Sequence, residues 1–228
     1  MPQPQQNLAH WQPVPLPAPV TLSGRWVTLE PLSVVKHAHD LWDAVQGRDE
    51  VWTWLGDGPY ACQEDLATAL AAKETGAAAR FFAILPASSS VAAGYASLMR
   101  IDPANGVIEV GNVMFSPKLQ RTPAATETMY LMARYVFEEL GYRRYEWKCN
   151  ALNLPSRRAA ERLGFTFEGI FRQHMVIKGQ NRDTAWFSML DSEWPSRKAA
   201  FEAWLAPENF DAEGRQKEPL AALRVQPE

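Results

Sequence analysis

Hydrophobic residues recur along this chain at two spacings. RWVTLEPL (25–32), ARFFAILP (79–86), AAGYASLMRI (92–101), VIEVGNVMF (107–115) and RRYEWKCN (143–150) read as strands. VVKHAHDLWDAV (34–45) places Val34, Ala38, Leu41 and Val45 at helical spacing. EDLATALAAKETG (64–76) predicts a second helix stopped by Gly76. In PAATETMYLMARYVFEELG (123–141), Ala125, Met129, Met132, Val136 and Leu140 share one face, with Arg134 and Glu138 on another. SRRAAERLG (156–164) predicts a short helix. FTFEGIFRQHMVIKGQNRDTAWFSML (165–190) predicts a strand pair turning at 178–181, and WPSRKAAFEAWL (194–205) a last helix. Asn105-Gly106 between two apolar runs signals a hairpin. The element order is strand, two helices, a strand meander, then helix, strand, helix, hairpin. It predicts an α/β (α+β) domain with a mixed, mostly antiparallel sheet flanked by helices.

The ends depart from this pattern. Residues 1–20 hold six of the 17 prolines and read as an extended, poorly ordered arm, with Trp11 and Leu16 as candidate anchors to a partner. Residues 207–228 are polar and read as a loosely attached tail. One domain over 21–206 remains. The start MPQPQQNLAH lacks an apolar core behind a basic segment, so no secretory signal is expected.

Composition narrows the function classes. With 23 Lys+Arg against 26 Asp+Glu, the net charge of −3 argues against nucleic acid or an anionic membrane as partner. No apolar run approaches the ~20 residues of a membrane span. Two cysteines, Cys62 and Cys149, without CxxC, speak against a disulfide framework or a cysteine zinc site and for reduced thiols in a cytoplasmic setting. His37 and His39 lack a third ligand, and no metal is expected.

The junction FSPKLQRTPAATET (115–128) ends a strand and opens the long helix. A helix start offers free backbone N–H groups and a positive dipole end, which suit phosphate. Lys118 and Arg121 add charge, and Ala124 and Ala125 permit close approach. Taken alone, an ordinary strand–loop–helix link with solvated basic residues is the favoured reading of the segment.

NALNLPSRRAAERLGFTFEGIFRQ (150–173) follows one strand later. QRTPAATET, FEELGYRRYE, N–L–P–S, RLGF and FEG, in that order, make the chain resemble the GNAT superfamily of N-acetyltransferases. It most resembles the branch containing the ribosomal-protein N-terminal acetyltransferases. The resemblance runs from about Val107 to Leu190 and implies acetyl-CoA as co-substrate. It maps the pyrophosphate loop onto Gln120, Arg121, Thr122, Pro123, Ala124 and Ala125, with Thr126 as a further contact. Backbone groups of Val113, Met114 and Phe115 would pair with the pantetheine arm. Asn153 would contact pantetheine, and Ser156 would lie near the thioester sulfur and offer it a hydrogen bond.

Two positions depart from the family pattern. Pro123 stands where the family has glycine and removes one donor, worth about 1.5–3 kcal/mol toward a charged acceptor unless replaced. Met175 stands where a Glu of the ribosomal branch is a candidate base. An alkyl amine with pKa near 10.4 is nucleophilic in only about one molecule in 10³ at pH 7, so a proton acceptor matters. Glu109 and Asp183 are the candidate carboxylates. His174 is set on the strand face opposite Met175 by two-residue alternation. Each has a structural alternative: Glu109 facing solvent or a helix, Asp183 capping the hairpin or pairing with Arg182, Asn153 capping the short helix. Trp52, Trp54 and Tyr60, between the first two helices, are candidate acceptor contacts, or else core; Trp147 and Trp186 read as sheet packing. The resulting expectation is direct acetyl transfer from acetyl-CoA to a small-molecule or peptide primary amine, without a covalent acyl-enzyme. The rival is a non-catalytic acyl-CoA sensor or scaffold. A homodimer remains open.

Overall fold

A computed structural model describes residues 7–224. Eight strands form one sheet in the order β1-β2-β3-β4-β5-β6-β8-β7. They are β1 (Leu22–Ser23), β2 (Val27–Pro31), β3 (Ala79–Pro86), β4 (Gly94–Asp102), β5 (Val107–Phe115), β6 (Arg144–Asn150), β7 (Thr166–Ile177) and β8 (Gln180–Leu190). All neighbours are antiparallel except β5 and β6. The helices are α1 (Val34–Val45), α2 (Gln63–Thr75), α3 (Pro123–Arg134), α4 (Leu154–Leu163) and α5 (Trp194–Leu205). The mixed, mostly antiparallel architecture read from the sequence is therefore the observed one.

The sheet divides two apolar cores. One face, with Ile108, Val110, Tyr145, Trp147, Ala185 and Phe187, packs under α3, α4 and α5. The other, with Phe81, Ala83, Tyr95 and Met114, packs under α1 and α2. Thus α1 and α2 cover the β3–β4 side, and the second face of β5, β6 and β8 carries polar residues instead.

The first predicted strand starts two residues late, at Val27. The amides of Arg25, Trp26 and Val27 donate to the buried carboxylate of Glu127 in α3, at 2.9, 2.5 and 2.9 Å. Donors turned toward a helix side chain are unavailable to a continuous ladder. The long helix also ends early as an α-helix. Tyr135–Glu139 continue as a π-helical turn, closed by the Leu140 amide on the Tyr135 carbonyl at 3.0 Å. α4 begins two residues before the predicted start, because Asn153 caps it.

Both predicted loose ends are corrected. In the described part of the arm, the Trp11 indole donates to the Ala104 carbonyl at 2.7 Å, and the Ala18 amide to the Tyr135 hydroxyl at 2.9 Å. The Tyr142 hydroxyl donates to the Pro15 carbonyl at 3.1 Å. Leu16 stays exposed. In the tail, Phe210 packs between Trp26 and Trp204, Gln216 accepts from the Trp204 indole at 2.7 Å, and Leu220 is buried in the main core. Polar composition concealed these few apolar anchors. Residues 1–6 and 225–228 lie outside the described residues.

Candidate active site

β5 and β6 pair only from Val107/Arg144 to Val110/Trp147. Beyond that point β6 pairs only with β8, so β5 and β6 part toward the start of α3. A bulge accompanies the parting. Tyr95 opposes Met114 while Ser97 opposes Gly111, so β5 has one extra residue, and Asn112 adopts φ +48°. The bulge reverses the facing of side chains. Val110 points to the α3–α5 core, yet Met114 points under α1 and α2 while Val113 and Phe115 pack on the first core. The side chains of Val113, Met114 and Phe115 are thus used in packing, and one backbone edge of this segment faces the gap.

The loop below the gap has the features of an anion cradle. Arg121 takes φ +62°, and Thr122 caps α3 by accepting from the Ala125 amide at 3.2 Å. Pro123 is the first residue of the helix, where its ring fits. Among the described residues the amides of Arg121, Thr122 and Ala124 have no protein acceptor. Three free donors at a helix start remain despite the proline, and they fit a diphosphate. Two side chains of this stretch have partners within the protein. Gln120 folds back to donate to the Phe115 carbonyl at 2.9 Å, and the buried Thr126 hydroxyl accepts from Arg162 of α4 at 3.1 Å. Neither is turned to a phosphate. Ala124 and Ala125 are buried beneath the loop, and Arg121 is exposed. Lys118 lines a cavity of about 560 Å³ beside Asp40 and Asp43 of α1. Thr122→Ala should lower stability by about 1 kcal/mol through loss of the cap, read from urea unfolding; an unchanged midpoint would contradict the capping geometry.

On the far wall, Asn153 Oδ1 accepts from the Ser156 amide at 3.1 Å, so Asn153 is the N-cap of α4. The Trp147 indole donates to Ser156 Oγ at 3.0 Å. An oxygen that accepts there has its hydroxyl hydrogen free to point elsewhere. Buried Cys149 lies beside it, with its thiol pushed up by burial and drawn back by Ser156.

The polar face of β5, β6 and β8 forms the cleft floor. Glu109 is buried, with Lys148 Nζ at 3.0 Å and Arg100 Nε at 3.4 Å from Oε2. Lys148 also pairs with Glu146 at 2.6 Å and lies 3.7 Å above the Trp186 ring. Burial pushes the Glu109 carboxyl above its ordinary range, only partly offset by Lys148 and Arg100. Trp186 is therefore a cleft residue, not core packing. Phe171 and His174 sit at 4.5 and 6.0 Å from its ring.

A second bulge explains His174. Phe171 opposes Thr184 and Met175 opposes Arg182, so β7 carries two extra residues, with Gln173 at φ +49°. Asp183 stabilises the bulge, accepting from the Gln173 amide at 2.7 Å and from Asn181 at 3.0 Å. Both its hydrogen bonds serve the bulge, which is the capping role. Simple alternation fails across the bulge. His174 comes onto the cleft side, its Nδ1 2.9 Å from the Thr184 hydroxyl. Desolvation and the charges of Arg100, Arg182 and Lys148 lower its pKa, favouring the neutral ring.

The α1–α2 connection overhangs this floor. The short helical turn Asp49–Trp52 packs on β5, and Lys178 at the hairpin tip donates to the Trp52 carbonyl at 2.9 Å. Trp52 is only 2% exposed, in the α1–α2 core, with Tyr60 edge-on at 5.0 Å. As a direct acceptor contact it is corrected: its ring has no free face to offer and supports the loop. The Tyr60 hydroxyl is held by Asp57 at 2.7 Å, and Asp57 also holds Lys73. Trp54, 40% exposed, is the aromatic of the three left open. Among the described residues no cluster of three or more His, Cys, Asp or Glu could hold a metal ion, and no helix is long and apolar enough to cross a membrane.

A sheet split between two parallel strands, above a helix start with free amides, defines a recognisable class. Residues 27–166 match the family model described as an acetyltransferase (GNAT) domain, and the chain belongs to the GNAT acetyltransferase family. The solved structure of a GCN5-related N-acetyltransferase from Brucella melitensis is 52% identical, with a TM-score of 0.93, covering 95% of this chain and 99% of that one. A probable GNAT-family acetyltransferase from Chromobacterium violaceum ATCC 12472 is 38% identical, with a TM-score of 0.80, covering 86% of this chain and 98% of that one. Among curated proteins, the "Putative ribosomal N-acetyltransferase YdaF" of Bacillus subtilis (strain 168) is 30% identical over 105 residues, 46% of this chain and 57% of that protein. The chain spans about half the length of the curated relatives it matches.

Proposed function

We propose that this protein transfers an acetyl group from acetyl-CoA to a primary amine by direct attack. The observation that carries the reading is the parting of β5 and β6 above three unpartnered amides, those of Arg121, Thr122 and Ala124. The amides would hold the diphosphate, and the free edge of 113–115 would pair with the pantetheine arm. Bound there, acetyl-CoA supplies a thioester carbonyl open to an amine. The N–C bond forms as the C–S bond breaks. Glu109 would take the amine proton, and backbone N–H near Met114 would hold the carbonyl oxygen as it gains charge. The Ser156 hydroxyl, oriented by Trp147, would donate to the departing sulfur. Arg100, Lys148 and Arg182 favour the neutral form of an amine placed among them. The name of the Bacillus relative, a ribosomal N-acetyltransferase, supports a ribosomal component among the acceptors. Two free thiols suit a reducing cytoplasm.

Thermal shift with CoA, followed by thiol release with acetyl-CoA and a panel of amines, tests this reading. Stabilisation without release on any amine would favour an acyl-CoA sensor; no stabilisation would favour a scaffold. Ser156→Ala should lower kcat by about 10–100-fold, the value of one hydrogen bond to a charged group, with CoA affinity nearly intact. A large loss of CoA affinity would remove Ser156 from this role.

A further inference from the structure

The cations of the cleft floor differ in one respect. Arg100 pairs with Glu109, Lys148 with Glu109 and Glu146, and Arg144 with Glu146 and Glu168. Arg182 pairs with no carboxylate among the described residues, and its Nε is buried without an acceptor. The Trp186 indole N–H on the same strand is likewise buried without an acceptor. Both alternate with Ala185 and Phe187 of the core, so they share the cleft face with Thr184. Arg182 lies two residues beyond Thr184, the last residue of β8 paired with β6, toward the end of the sheet where β5 and β6 have parted, and Glu109 and Cys149 both act on its charge. A buried donor without a partner costs about 1–3 kcal/mol, so two in one cleft call for an explanation. Both lack an oxygen acceptor. The guanidinium fork matches a carboxylate in shape and charge.

We propose that the acceptor is a primary amine that also carries a carboxylate, held by Arg182 and the Trp186 indole. This inference rests on the proposed acetyl transfer and specifies its acceptor. The carboxylate has two sources with the same chemistry, a free α-amino acid or a peptide whose first residue is acidic. A polyamine would fit poorly, since Arg100, Lys148 and Arg182 all act on His174 in this cleft and would repel a second cation beside it.

The test compares matched acceptors by thiol release, with rates expressed per free-base amine. One pair is leucine against leucinamide; the other is a short C-terminally amidated peptide beginning with Glu against the same peptide beginning with Gln. The carboxylate member of at least one pair should have kcat/KM at least about tenfold higher, the value of one charge-assisted hydrogen bond. Which pair responds identifies the source. Arg182→Gln should level that ratio while leaving CoA affinity within about twofold, and Arg182→Lys should retain part of it. Equal or better use of the uncharged member in both pairs would overturn the proposal. So would a preference surviving in Arg182→Gln, or a CoA affinity that falls with Arg182. If CoA binds but no amine is acetylated, the transfer reading fails, and calorimetry of the same pairs on CoA-saturated protein decides the inference. Arg182-dependent binding of the carboxylate member would uphold it; no binding would end it.

Discussion

Glu127→Ala should cost about 3–5 kcal/mol of folding stability, seen as a large fall in the urea midpoint. The carboxylate is buried and accepts from three successive amides, Arg25, Trp26 and Val27. Alanine would strand all three donors, at about 1–3 kcal/mol each when no water replaces the acceptor. A small domain holds only about 5–15 kcal/mol in total, so this one side chain represents a large share. The same carboxylate crowds Gly24, where an added Cβ would meet it. Glu127→Gln keeps one oxygen acceptor and should lose less. An unchanged midpoint in Glu127→Ala would mean that the clamp between the first strands and α3 is not formed.

Glu109→Gln should lower kcat by about 10²–10⁴, the range for positioned general bases, with little change in CoA affinity. The pH dependence gives the sharper test. A carboxyl raised above its ordinary range by burial is protonated over more of the acidic range, and a protonated Glu109 cannot accept the amine proton. The wild-type rate should therefore fall as pH drops through that raised pKa. The glutamine variant should lose this limb and keep only the titration of the acceptor amine. Retention of the limb in Glu109→Gln would clear Glu109 of the role and direct attention to His174, which lies on the same side of the cleft.

The reach of the sequence is visible in particular elements. α1, β3, β5 and α5 begin and end where the hydrophobic spacing sets them. The two bulges left no such mark. Asn112 and Gln173 take positive φ without being glycine, so nothing in the pattern announces the extra residues. They decide which side chains enter the cleft. His174 was illegible for that reason, Arg182 and Trp186 because alternation gives β8 two faces without saying which lines a cleft, and Lys148 because its partners Glu109 and Glu146 come from two strands. Glu127 binds amides about a hundred residues earlier in the chain, a separation that local spacing does not encode. The capped helix start below the gap was legible because its chemistry is local. Thr122, Pro123 and Ala124 cap and open a helix whatever the rest of the fold does.

Isothermal titration of CoA into the folded chain is the most direct measurement. The geometry predicts saturable binding of one CoA per chain, weakening as salt screens the diphosphate from the loop. Folded protein that gives no heat with millimolar CoA would mean that the free amides around Pro123 hold no phosphate, and the account of the site would fail with them.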